Sequence, residues 1–156
     1  MEDIPPVRLL LDANIYLEIL LDQEQSESAR TLLAAYADHE FFLSDFSLHS
    51  IVLSLFRRQQ HSRFREFLTD ALDRPGTTVL SLDAADMEAV VENSQRFGLD
   101  FDDAYQYTVA LKYDLTVVSL DSHFDRTDRG RKTLVELTIP PGPVVRTVRR
   151  PAKDEG

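Results

Sequence analysis

Four aspartates in this chain stand where carboxylates can act together. Asp12 follows the apolar run Val7–Leu11, and Asp121 follows the run 116–120. Asp102 and Asp103 open the segment 102–113. Gathered carboxylates repel one another, so the group is costly unless a cation neutralises it. Oxygen donors of this kind suit Mg²⁺ or Mn²⁺. Such ions activate water and stabilise in-line displacement at phosphorus, so the set points to metal-dependent phosphodiester hydrolysis. Each aspartate also has a plain structural role, because acidic residues cap helices and favour the N-terminal end of the helix dipole. Asp102 reads equally as cap and as ligand, whereas Asp103 leans towards the site.

For Asp12 and Asp121 to converge, their runs must be strands of one parallel sheet, whose carboxyl ends line the ligand crevice. The hydrophobic pattern supplies that framework. Strands are expected at 7–11, 41–43, 79–80 and 116–120, with a last edge strand at 135–137. Between them lie helical patterns. One covers 15–21. The next is opened by an Asp22/Gln25 capping box and buries Ala29, Leu32, Leu33 and Tyr36. A third shows the stripe Leu48, Ile51, Val52, Leu55, Phe56, and a fourth shows Phe64, Phe67, Leu68, Leu72 before Pro75-Gly76. Asp83 caps another that Gly98 stops, and the last is 102–113. Alternating strands and helices give an α/β fold with a mainly parallel sheet. Pro140-Pro141-Gly142-Pro143 blocks both helix and ladder, so a domain is placed at 1–140 and a partly basic tail at 141–156.

Composition narrows the chemistry. Apolar residues are 43% and charged residues 28%, which excludes wholesale disorder. The absence of cysteine removes disulfides, zinc fingers, iron–sulfur clusters and thiol catalysis. Five glycines, scattered singly, make no phosphate-cradling loop. The net charge of −10 argues against a general binder of phosphate backbones. Basic residues are nevertheless clustered, at Arg57, Arg58, Arg63, Arg65 and again over 126–132. These are either solvated faces or phosphate contacts around an acidic site. No apolar run approaches about 18 residues, and Met1-Glu2-Asp3 is not a signal peptide, so a cytoplasmic protein without membrane contact is expected.

Three segments carry a family resemblance. Leu10-Leu11-Asp12-Ala13-Asn14-Ile15 is similar to the first motif of PIN-domain ribonucleases. Asp103-Ala104-Tyr105-Gln106-Tyr107-Thr108-Val109-Ala110 resembles their third motif. Leu115-Thr116-Val117-Val118-Ser119-Leu120-Asp121-Ser122-His123-Phe124 resembles their fourth. Size and layout look most like the VapC-type toxins of toxin–antitoxin pairs. The resemblance implies a three-layer α/β/α sandwich on a mainly parallel sheet of about five strands. It implies an Mg²⁺ or Mn²⁺ site on Asp12, Asp103 and Asp121, with Asp102 as a further ligand, and cleavage of RNA. It also implies an antitoxin partner and a homodimer. Asn14 would orient Asp12 or cap the first helix, and Ser119 would hydrogen-bond a ligand or pack at the strand end. His49 and His123 read as surface or cap residues.

One position departs from the family pattern. The second motif usually carries a glutamate on the helix after the second strand, and alignment through Leu43-Ser44-Asp45 puts Ser50 there. Asp45, whose other role is an N-cap, or Asp102 would then supply the missing charge. The alternative is a catalytically degenerate PIN-like domain that binds RNA or a protein. A phosphoacceptor receiver domain shares strand-end aspartates but needs a lysine after a late strand, and none occurs between Asp121 and Lys132.

Overall fold

The computed structural model describes residues 6–73 and 77–138. The boundary at Pro140–Pro143, the 141–156 tail and the Pro75-Gly76 stop lie outside the described residues. Four parallel strands form one sheet: β1 (Val7–Leu11), β2 (His39–Ser44), β3 (Thr77–Leu80) and β4 (Thr116–Val118). Their order is β3-β2-β1-β4, with Leu10 opposite both Phe42 and Val117.

Side chains alternate across a strand, and here both faces are apolar. Leu9, Leu11, Phe41, Leu43 and Val118 face one layer. It is made by α1 (Ala13–Leu20), α2 (Ser26–Ala34), α3 (Asp45–Arg57), α4 (His61–Phe67) and α7 (Leu134–Thr138). Leu10 and Val117 face the other, made by α5 (Met87–Phe97) and α6 (Phe101–Tyr113). The sandwich therefore has three layers. Leu9, Leu10 and Leu11 are all fully buried, so β1 is the spine of both cores.

The sheet has four strands rather than five among the described residues. The expected strand at 135–137 is part of α7 instead. Thr133 and Glu136 form a reciprocal cap, with Glu136 N donating to Thr133 Oγ1 at 3.2 Å and Thr133 N to Glu136 Oε1 at 2.8 Å. What remains of a fifth strand is a single parallel bridge between Val118 and Lys132. Three smaller expectations also change. Asp22 is not a cap: it sits at φ 54° in the turn after α1, and the Glu18 carboxylate accepts from Gln25 N instead. Tyr36 lies past the end of α2 and is exposed. On α3 the buried residues are Ser47, Ile51 and Leu55, while Phe56 faces outward. No helix among the described residues is long and apolar enough to cross a membrane.

Candidate metal centre

The strand ends build the site. Asp12 N donates to Val118 O at 2.9 Å, which continues the β1–β4 ladder by one residue. The Asp12 carboxylate then caps α1 through Ala13 N at 2.8 Å. Across the sheet, the buried Ser119 donates its hydroxyl to Asp12 Oδ2 at 2.6 Å and accepts from Asp121 N at 2.9 Å. Asn14 completes the lattice: its amide donates to Asp12 Oδ2 and to Ser119 Oγ, and its carbonyl accepts from Leu120 N, each at 3.3 Å. Asn14 and Ser119 therefore both hold Asp12, and Ser119 also ties Asp121 to it. Burial pushes the Asp12 carboxyl up to about 6, partly offset by the bonds from Ser119 and Ala13. The charges of Asp103 and Asp121 push in the same direction as burial, which brings all three carboxylates within electrostatic reach of one another.

The metal-sized group does not include Asp12, an expected ligand. Asp103, Asp121 and His123 offer ligand atoms that all fall within 4.8 Å of one another. His123 Nδ1 stands 3.1 Å from Asp103 Oδ2 and 3.1 Å from Asp121 Oδ1. Asp103 is in the first turn of α6 and is only 8% exposed. Burial raises its pKa, the bond to His123 opposes that, and the charges of Asp121 and Asp102 add to the rise. Asp121 caps the 3₁₀ turn Ser122–Arg126 by accepting from His123 N at 2.9 Å. That cap bends the chain back so that residue 123 faces residue 121. His123 was not among the expected ligands; the signal was its place two residues after a strand-end aspartate that caps a tight turn.

The other candidates are placed as follows. Asp102 is exposed and accepts from Asp103 N at 3.1 Å, a capping contact, while its charge acts on Asp103. Asp45 accepts from Phe46 N and from the Tyr105 hydroxyl, each at 2.8 Å, and is not in the metal-sized group. Ser50 lines a surface cavity of about 410 Å³ with Leu53, Ser54, Arg57 and Arg58, and none of the acidic group lines it. His49 is exposed. In the basic stretch, Arg126 donates to Gly98 O, Arg129 pairs with Asp114, and Arg131 binds both Ser119 O and Asp125. These three cations brace the loop behind the site.

The donor set fits a divalent cation. Two carboxylates and an imidazole converge, the Asp12 carboxylate feels the charge of both, and the repulsion among the carboxylates is what a cation relieves.

A family model described as PIN domain matches residues 9–130. No curated protein sequence matches the chain. Among solved structures, a toxin–antitoxin complex from Klebsiella pneumoniae is similar at 18% identity, over 81% of this chain and 97% of that one, with a TM-score of 0.64. VapBC2 from Rickettsia felis, bound to a DNA fragment from its promoter, is similar at 15% identity over 81% and 98%, also at 0.64. VapC20 from Mycobacterium tuberculosis, a toxin that cleaves the sarcin–ricin loop, is similar at 18% identity over 85% and 99%, again at 0.64.

Proposed function

Since the chain belongs to the PIN-domain family, we propose that it is a divalent-metal-dependent endoribonuclease, the toxin of a toxin–antitoxin pair. The observation that carries this reading is the convergence of Asp103, Asp121 and His123, with the charges of Asp103 and Asp121 also acting on a strand-end Asp12 whose carboxyl is pushed up to about 6. Asp103, Asp121 and His123 would hold Mg²⁺ or Mn²⁺. When bound, such an ion supplies Lewis acidity to phosphoryl transfer, offsetting charge on the scissile group and making water more acidic.

The chain's own residues do the positioning. Ser119 and Asn14 both donate to Asp12 Oδ2, which fixes the orientation of its carboxylate. Asp121 fixes His123 through the turn it caps. Arg131 anchors the backbone of Ser119 at 2.9 Å. An antitoxin segment would sit away from these residues, in a cavity of about 580 Å³ whose lining combines Ile19, Leu20, Leu33 and Phe67 with Arg30, Arg63 and Glu66.

The test is RNA cleavage in Mg²⁺, Mn²⁺ and EDTA, beside Asp103→Asn. Cleavage should need the cation and fall at least a hundredfold in the variant. Cleavage that survives EDTA or ignores Asp103→Asn would sink the reading. Ser50 favours one competing reading, a domain that binds RNA or protein without cutting, because it brings no charge to a position where the family carries glutamate. A domain of that kind should bind Mn²⁺ weakly or not at all in calorimetry.

A further inference from the structure

We propose that Gln106 is a positioning residue for the metal centre: its buried side-chain amide takes hold of the Asp103 carboxylate when a cation draws His123 away from it. The proposal rests on the metal-dependent reading of the site and adds a residue to it.

Gln106 lies in the middle of α6 and is 2% exposed. Neither its Oε1 nor its Nε2 has a hydrogen-bond partner. Among the described residues, no other side chain is buried with two polar atoms unpaired. A buried amide left so is costly, and such groups are rare in folded proteins. Thr108, on the same helix, shows the usual solution. Its hydroxyl donates to Ala104 O at 2.7 Å and accepts from Asn93 Nδ2 at 3.0 Å.

The residues flanking Gln106 on α6, Tyr105, Tyr107, Val109 and Ala110, belong to the apolar core with Leu10 and Val117. Polar atoms lie one turn back. Asp103 precedes Gln106 by three residues, so the two share a face of α6. Long side chains on a helix lean towards its N-terminus, over the residues three and four before them. That direction leads the amide to Asp103, and glutamine–aspartate bonds at this spacing stabilise helices. Asp103 has an oxygen to offer. Its Oδ2 meets His123 Nδ1 at 3.1 Å, and its Oδ1 accepts no hydrogen bond among the described residues.

His123 cannot serve Asp103 and a cation with one nitrogen. Nδ1 is the atom that faces both Asp103 and Asp121. To donate to a carboxylate it carries a proton where a metal would bind. A cation seated among the three residues replaces that proton and takes the hydrogen bond from Asp103. Carboxylates that ligate metals are themselves hydrogen-bonded, and removing such a partner weakens metal binding ten- to a hundredfold. Gln106 is the unpaired donor on the same helix face.

The experiment reads Mn²⁺ affinity by calorimetry and stability in EDTA by urea unfolding, on the same proteins. Gln106→Met keeps the length and bulk of the side chain and removes the amide. It should unfold at an unchanged or higher urea concentration, because a buried unpaired group is gone. It should nevertheless bind Mn²⁺ at least tenfold more weakly. Added to Asp103→Asn, Gln106→Met should cost no further affinity, since the amide acts through that carboxylate. In ¹⁵N spectra of the wild type, one side-chain amide proton of Gln106 should move downfield on saturation with Mg²⁺, and should not in Asp103→Asn. If Gln106→Met fails to fold, these spectra decide alone. If the wild type binds Mn²⁺ and Gln106→Met matches it, or the amide proton stays put, the proposal is overturned and the ribonuclease reading stands. If the losses from Gln106→Met and Asp103→Asn multiply, the amide acts elsewhere and the proposal is likewise overturned. If the wild type binds no Mn²⁺, the metal-dependent reading falls and the role of Gln106 with it.

Discussion

Asp12 couples the site to pH. Its carboxyl is near 6 in the fold against 3.8 in the unfolded chain, with burial as the main cause. The folded state therefore holds a proton that the unfolded state has released between about pH 4 and pH 6. Stability of the metal-free protein should fall across that window and stay low above it, by at most about 3 kcal/mol from this residue. Asp12→Asn removes the penalty. In EDTA the variant should outlast the wild type in urea at pH 7.5, and the difference should vanish at pH 4; a pH-independent difference would refute the assignment. The ligands make a separate prediction. Asp103→Asn, Asp121→Asn and His123→Ala should each weaken Mn²⁺ binding at least tenfold in calorimetry. Asp45→Ala should leave it unchanged and instead cost about 1 kcal/mol, because it strands the Tyr105 hydroxyl.

Local chemistry decides which elements form. The run 135–137 has a strand's composition, but Thr133 and Glu136 satisfy the first amides of a helix and α7 forms. Thr133→Ala should cost about 1 kcal/mol in thermal or urea unfolding; no change would mean that packing on α2 alone holds α7. Thr133-x-x-Glu136 stands in the sequence as a capping signature, but the apolar Val135 and Leu137 on either side of Glu136 give the segment the alternation of a strand. Strands β1 to β4 and the start of α6 were legible because buried parallel strands are short apolar runs and their flanking helices are long and periodic. Asp12, Asp103 and Asp121 were legible as strand-end and helix-start carboxylates. His123 was not, because its role depends on a turn whose shape is set by the Asp121 cap and the bridge at Lys132. Asp45 and Ser50 were uncertain for another reason: the pattern of α3 left its facing ambiguous until Ser47, Ile51 and Leu55 proved to be the buried side.

For the molecule as a whole, a cation that binds only the folded state adds to its stability by mass action. Mn²⁺ at a hundred times its dissociation constant should add about 2.7 kcal/mol, and EDTA should take it away. A melting temperature indifferent to Mn²⁺ would count against the centre. The neighbour relations of β1 have a further consequence, for the order in which the protein comes into being. Asp12 meets Ser119 across 107 positions of chain. The two layers of the sandwich are joined through a central strand that is synthesised before the other three described strands and is completed on one side by the last of them. The loop entropy of that closure is large, and topologies dominated by such distant pairings fold slowly. A growing chain can assemble β1, β2 and the helices between them while the carboxylates remain far apart. The centre then forms as a late event of folding, when β4 docks. A nascent or truncated chain that stops short of Thr116 carries Asp12 and Asp103 without Ser119, Asp121 and His123, so the donor set is incomplete until β4 and its turn emerge.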